Sequence, residues 1–310
     1  MADREVVTTE GLFPPELVKE IFSLVRGHST LAKLSATSPM PHRGTQEMIL
    51  SMDGEASVVA EGTQKPAGKA KAKPKIVKPF KILYQTRVTD EFVKMSEEEQ
   101  EPYMETFKDG LAKKIGRGID IVAFHGIDPA SREALPWKQT NSIDGLCDYE
   151  QVADDMPIDT AIETIVNSIS DKYDINGVAF APAGAAAMGN IVNGKNGFHE
   201  YPDFRFGNIP ESFAGGVCDK NSTVSYTELI EGSDETTEGP KDLAIVGDWT
   251  TVRWGYADDV KFEIIEYGDP DGQGDLKRNN EVVLRAEAYV GVGILDPDAF
   301  GYVTAEEVSA

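Results

Sequence analysis

EPYMETFKDGLAKKIGRGIDIVAFHG, residues 101–126, carries the most periodic pattern in the chain. Tyr103, Phe107, Leu111, Ile115 and Ile119 recur every four residues, with Met104 and Val122 beside them. That is the apolar stripe of an amphipathic helix. Pro102 suits a first helical position and Gly126 a stop. Ser96 and Glu99 have the spacing of a capping box for a preceding turn. The pattern predicts a main helix over Glu101–Phe124, ~36 Å long at about 1.5 Å per residue. Gly110, Gly116 and Gly118 lie inside it. Each costs roughly 1 kcal/mol against Ala at such a position. The cluster therefore expects another backbone in close approach, with a helix bend as the alternative.

Upstream of the helix, two segments lack a core of their own. Residues 1–45 read as an extended arm with one short helix, opened by Pro14 and Pro15. Leu17, Ile21, Leu24 and Val25 form its stripe, and Gly27 ends it. Residues 46–90 read as two strands joined by a long tip. The first lies around Met48–Leu50 and Ala56–Ala60, the tip is EGTQKPAGKAKAKPK, and the return strand is Ile76–Val88. A lone two-stranded ribbon is marginal in water, so this one needs a partner surface.

Downstream, Ile158, Ala161, Ile162, Ile165, Val166 and Ile169 make a second helical stripe after Pro157. Asn176-Gly177 turns the chain into a short buried strand, Val178–Ala181, and AGAAAMGNIV suits a small helix. Residues 195–240 read as surface loops. The last third is β-rich, with strands expected at Leu243–Val246, Val252–Tyr256, Val260–Glu266 and Val282–Ile294.

The net charge of −23 disfavours a reader of nucleic-acid sequence, which needs a basic face. The charge is unevenly placed. Lys65, Lys69, Lys71, Lys73, Lys75, Lys78 and Lys81 fall in one stretch that contains no acid. A basic arm on an acidic body is complementary to a second copy of itself; a solvated loop is the alternative. No apolar run approaches the ~20 residues of a membrane span, and the start lacks the layout of a signal peptide. Cys147 and Cys218 read as reduced packing residues.

Signs of catalysis are sparse. His28, His42, His125 and His199 have no metal-ligand spacing, and no phosphate-binding or nucleophile motif occurs. Asp269, Asp271 and Asp275 lack the frame of a calcium loop and read as a polar hairpin loop. Trp249 and Trp254 read as core or interface aromatics. The expectation is a chain that is no enzyme and holds no metal and no cofactor.

This order of parts resembles the major capsid protein of tailed bacteriophages, of the Hong Kong 97 type, over nearly the whole chain. GEASVVAEGTQKP with KPKIVKPFKILYQTRVTDEFV resembles the two sides of that family's extended loop, the E-loop. Residues 101–126 resemble its spine helix, with Asp120, Phe124, His125 and Gly126 as a "DxxxFHG" ending. AIETIVNSI with INGVAFAP resembles the axial domain, and NEVVLRAEAYVGVGILDPDAFGYVT the closing strand.

The resemblance implies an α+β fold: arm 1–45; E-loop 46–90; peripheral domain 91–150 and 251–287; axial domain 151–250 and 288–310. It implies hexamers and pentamers closing into an icosahedral shell around double-stranded DNA, bound without sequence preference and without a membrane. A portal, a scaffold supplied as a separate protein and decoration proteins are implied partners. Assembly in the host cytoplasm, and a final place in the virion, follow.

The lysines from Lys65 to Lys81 would then contact neighbouring subunits. Some members also join an E-loop lysine to an asparagine, with a glutamate as base; Asn280 and Glu287 have that spacing. The alternative is that Glu287 pairs with a basic E-loop. Two other readings compete for the whole chain. One is an encapsulin-like compartment. The other is a soluble surface- or carbohydrate-binding protein presenting Phe198, Tyr201, Phe204 and Phe206.

Overall fold

The computed structural model describes residues 24–25, 27–53, 58, 69–93, 97–147, 150–152, 156–213, 215–226, 241–258 and 260–305. Most of the expected arm helix, the Ser96 capping box, Lys65 and the acidic EGSDETTEG stretch lie outside these residues.

Helix α1 (Thr30–Leu34) is capped by Ser29, whose Oγ accepts from the Ala32 amide. Strands β1 (Thr45–Asp53) and β2 (Lys69–Val77) form an antiparallel sheet of two. Here the expected return strand divides. β3 (Pro79–Thr89) leaves the ribbon and pairs instead with a distant strand. The break falls at Lys78-Pro79, because proline brings no N–H to a ladder. The ribbon also turns back earlier than expected, and Lys69 to Lys75 lie in β2 and not in a loose tip.

Helix α2 (Glu97–His125) runs 29 residues, with Pro102 near its start, and ends where Gly126 takes φ +62°. It is ~44 Å long at 1.5 Å per residue. Leu111, Ile115, Ile119, Val122 and Phe124 are buried. Helix α3 (Ile143–Leu146) packs by its C-terminal end.

Strand β4 (Glu150–Val152) precedes helix α4 (Ile158–Ile169). The expected stripe of α4 is buried at Ile158, Ala161, Ile162, Ile165 and Ile169. Strand β5 (Gly177–Phe180), helix α5 (Pro182–Asn190), β6 (Ser212–Phe213), β7 (Gly216–Lys220) and β8 (Lys241–Gly247) follow. Strands β9 (Val252–Tyr256) and β10 (Lys261–Ile265), one-turn helix α6 (Leu276–Asn279), β11 (Glu281–Ile294) and β12 (Phe300–Ala305) complete the chain.

Strand order is β4-β12-β8-β5-β7-β6 in the larger sheet, against which α4 and α5 pack. β7 and β12 were not expected: the first lies in the stretch read as surface loops, the second in the tail. β11 organises the other sheet. It pairs with β3 along its length, with β10 over Val283–Glu287 and with β9 over Val290–Ile294. Leu284, Ala286, Ala288 and Val290 are buried on one face, as their alternation predicts. Gly291 and Gly293 admit Met40 and Val77: a Cβ at either would stand within 2.5 Å of those side chains. Val77 thereby fixes the base of the ribbon. Among the described residues no helix is long and apolar enough to cross a membrane.

Candidate assembly interface

The ribbon stands apart from the two larger sheets. β1 and β2 pair from Thr45–Val77 to Asp53–Lys69, and among the described residues no other strand joins them. Strand alternation puts Lys71, Lys73 and Lys75 on one face. Met48, Pro74 and Ile76 belong to the other, where Met48 is 60% and Ile76 58% exposed. One face is therefore basic and the other apolar, and both are open.

The lysines expected to contact neighbours divide by place. Lys71, Lys73 and Lys78 are exposed. Lys75 turns inward and donates to the Thr140 carbonyl, and burial lowers its pKa. Lys81 lies on β3, outside the ribbon, and pairs with Glu287 of the same chain at 2.6 Å. Register places Lys81 two residues from Leu83, Glu287's own partner, so the two side chains meet on one face and the ion pair closes within the chain. The pairing alternative for Glu287 is the one the structure displays. Asn280 is remote from it, at the other end of β11, capping α6 with a left-handed φ of +55°.

The three helix glycines differ. A Cβ on Gly116 would come within 3.3 Å of the Val25 carbonyl oxygen and the His28 backbone, which is the close approach expected. Gly118 faces the Ile82 side chain at ordinary contact distance, and Gly110 faces open space. Backbone approach therefore explains Gly116 alone.

Polar groups buried at the far end of α2 escaped the sequence reading. Asp120 is fully buried. It accepts from Ser29 Oγ (2.6 Å), the Thr30 and Leu31 amides (2.9 and 3.1 Å), Asn221 Nδ2 (3.2 Å) and Thr223 Oγ1 (3.3 Å). Burial pushes its carboxyl up to about 6, against the downward pull of these hydrogen bonds. His125 donates from Nδ1 to Asp144 at 2.8 Å and from Nε2 to the Thr223 carbonyl at 2.7 Å, with Asp242 at 3.7 Å. Burial pulls the imidazole down. The charge and hydrogen bond of Asp144, with Asp242 and the Thr223 carbonyl, outweigh it and hold the pKa at about 9.

His125, Asp144 and Asp242 bring their ligand atoms within 4.8 Å, a convergence hidden from any search by spacing. With both ring nitrogens donating, the cluster is arranged around a protonated imidazole. The "DxxxFHG" string thus has a physical meaning: Asp120 holds α1, Phe124 fills the core, His125 ties α2 to α3 and β8, and Gly126 permits the exit. The Asp269–Asp275 loop likewise serves the fold. Arg87 donates to Asp271 (2.8 Å) and Glu281 (2.7 Å), holding Asp271 down at about 2, while Asp275 caps α6.

Residues 10–305 match the phage capsid family. The chain belongs to that family. A solved structure from Mycobacterium phage Ogopogo is 30% identical, covers 90% of this chain and 92% of its own, and superposes with a TM-score of 0.73. One from Gordonia phage Cozz is 24% identical over 90% and 87%, with a TM-score of 0.69. A structure described as the capsid of a native GTA particle shares the fold at 11% identity, with a TM-score of 0.58 over 89% of each chain. No curated protein sequence matches.

This capsid protein has the Hong Kong 97-like α+β fold and forms the wall of a shell; its place is the virion capsid. The two competing readings are not favoured. Of the aromatics that suggested a binding platform, Phe204 is buried and Tyr201 half-buried, so only Phe198 and Phe206 are exposed.

Proposed function

We propose that copies of this capsid protein assemble into hexamers and pentamers that close into an icosahedral shell around double-stranded DNA. The observation that carries this is the ribbon. It has an open basic face and an open apolar face, and a two-stranded sheet of this kind is not stable on its own. Laid across a neighbouring copy, it would cover Met48 and Ile76 and bring lysines against an acidic body. The part is structural, without a catalytic step and without cofactor or metal. The domains follow the E-loop, peripheral and axial division, with β3 counted in the peripheral sheet. A portal, a scaffold and decoration proteins are the partners, and assembly takes place in the host cytoplasm.

DNA contact is confined to nonspecific apposition with an acidic wall. No lysine–asparagine crosslink is part of this reading, since Glu287 is occupied by Lys81. Negative-stain microscopy of the purified protein tests the proposal. Rings or closed particles are expected, and a monodisperse small oligomer would refute it. Denaturing gels of mature particles should show the 33.7 kDa chain alone.

A further inference from the structure

The turn that follows α5 reads Asn193-Gly194-Lys195-Asn196-Gly197. Two backbone bonds close it, Asn193 N to the Phe198 carbonyl and Gly197 N to the Asn193 carbonyl, both 2.9 Å, and the Val192–His199 bridge frames it. Asparagine before glycine is open to attack on its own side chain, because glycine has no Cβ to keep its amide nitrogen away from the carboxamide carbon. The chain holds three such pairs: Asn176-Gly177, Asn193-Gly194 and Asn196-Gly197. The fold gives each a different setting.

Asn176 is held at both ends. Its Nδ2 donates to Asp248 and its Oδ1 accepts from the Trp249 amide, each at 2.9 Å, and Gly177 is buried at the start of β5. A carboxamide fixed in this way cannot turn toward its own backbone. Asn193 and Asn196 instead fold forward in Asx turns. Oδ1 of Asn193 accepts from Lys195 N and Oδ1 of Asn196 from Phe198 N, each at 3.0 Å. A donor on that oxygen supports the charge that gathers there when the carbon is attacked. The two differ at the nucleophile. Gly197 N–H is engaged with the Asn193 carbonyl. Gly194 is exposed, a Cβ there would meet nothing within 4 Å, and its N–H has no acceptor among the described residues. The Gly197 bond also falls on the carbonyl of the Asn193–Gly194 peptide, where it stabilises the amide anion that must form.

We propose that Asn193 is a site of spontaneous deamidation, and the first of the three to convert in the folded protein. Gly194 N gives up its proton to solvent base and bonds to Asn193 Cγ. The Cγ–Nδ2 bond breaks and ammonia leaves, closing a succinimide. Water then opens the ring at either carbonyl, leaving aspartate or isoaspartate. Each event adds one negative charge per copy, and the isoaspartyl product lengthens the backbone by one methylene close to exposed Phe198. The inference is independent of the shell reading and needs no second copy.

The full-length protein, incubated at mildly alkaline pH, digested with trypsin and read by fragmentation mass spectrometry, tests it. Cleavage after Lys195 separates Asn193 from Asn196. Asn193 should convert about three- to tenfold faster than Asn196, the factor that one hydrogen bond of ordinary net worth makes in a rate. Asn176 should stay intact until the chain is unfolded in urea, where all three should convert at similar rates. Exposure alone would give the opposite order, since Asn196 is exposed and Asn193 half-buried. Asn196 converting first, or equal rates in the folded protein, overturns the proposal. The same preference for Asn193 in urea overturns it too, because the fold would then play no part. Gly194→Ala should fold normally by circular dichroism and lose most of the conversion at Asn193, while Asn196 keeps its rate. Unchanged conversion at Asn193 in that variant overturns attack by the Gly194 nitrogen, and the proposal with it.

Discussion

The C-terminal half of α2 and the β1–β2 ribbon are built on opposite terms. Around Asp120 and His125 every polar contact closes inside the chain: five donors converge on one carboxylate, and both imidazole nitrogens find acceptors. In the ribbon, exposed Met48 and Ile76 back an exposed row of lysines. The first region is complete in one copy; the second, on the reading proposed above, is completed by a neighbour. A shell subunit needs both: a body rigid enough to be a tile, and an edge that gains most of its stability from its neighbour.

Changes that break the body should be the most costly. Asp120→Ala strands buried donors in α1 and its cap. A loss of about 3–5 kcal/mol in unfolding free energy is expected, measured by urea titration, because each stranded buried donor costs ~1–3 kcal/mol. Val25 and Leu31 should become accessible to hydrogen exchange with it. A loss under ~1 kcal/mol would mean that Asp120 does not hold α1.

His125 should show itself through pH. Its folded pKa, about 9, lies above the ordinary value, so its stabilising effect is complete below about pH 6.5. It fades as pH rises through 9. His125→Gln should flatten that part of the stability profile and cost ~2–3 kcal/mol at pH 6, with little difference from the parent near pH 10. Asp120, with its pKa raised to about 6, should also favour the folded chain more at low pH, its share fading as pH passes from 4 to 6.

The helix glycines give a smaller, two-signed test. Gly110→Ala meets nothing and should stabilise by roughly 0.5–1 kcal/mol through helix propensity. Gly116→Ala meets backbone at 3.3 Å and should destabilise, despite the same propensity gain. Equal effects at the two sites would remove the case for close packing at Gly116. In the ribbon the expected effect on the monomer is smallest. Lys71→Glu with Lys73→Glu should move the unfolding free energy by less than about 0.5 kcal/mol, as surface changes do, yet abolish particles seen by sedimentation. Normal shells from that variant would dissolve the contrast between the two regions.

Much of the fold was legible because it is written in short-range periods. The stripes of α2 and α4 and the alternation along β11 follow from side-chain geometry alone. β7 and β12 were missed because each is short, and its place in the sheet is decided by distant partners: β5 for the one, β8 and β4 for the other. The division of the return strand at Pro79 could have been read from the proline. That β3 leaves for β11, about 200 residues on, could not. Lys81 was grouped with the ribbon lysines for the same reason: charge is visible in sequence, but the nearest opposite charge is not.

By itself the sequence determined the amphipathic helices, the uneven charge and the presence of segments with no core of their own. These are properties of composition and of neighbours a few residues apart. The tertiary structure alone decided where the chain is closed and where it is open. It gathered Ser29, Asp120, Asn221 and Thr223 around one buried carboxylate. It paired Lys81 with Glu287. Among the described residues it left Met48, Lys71, Lys73 and Ile76 of the ribbon exposed. Hydrogen bonds and ion pairs act over a few ångströms in space, so their partners become known only when the chain has folded.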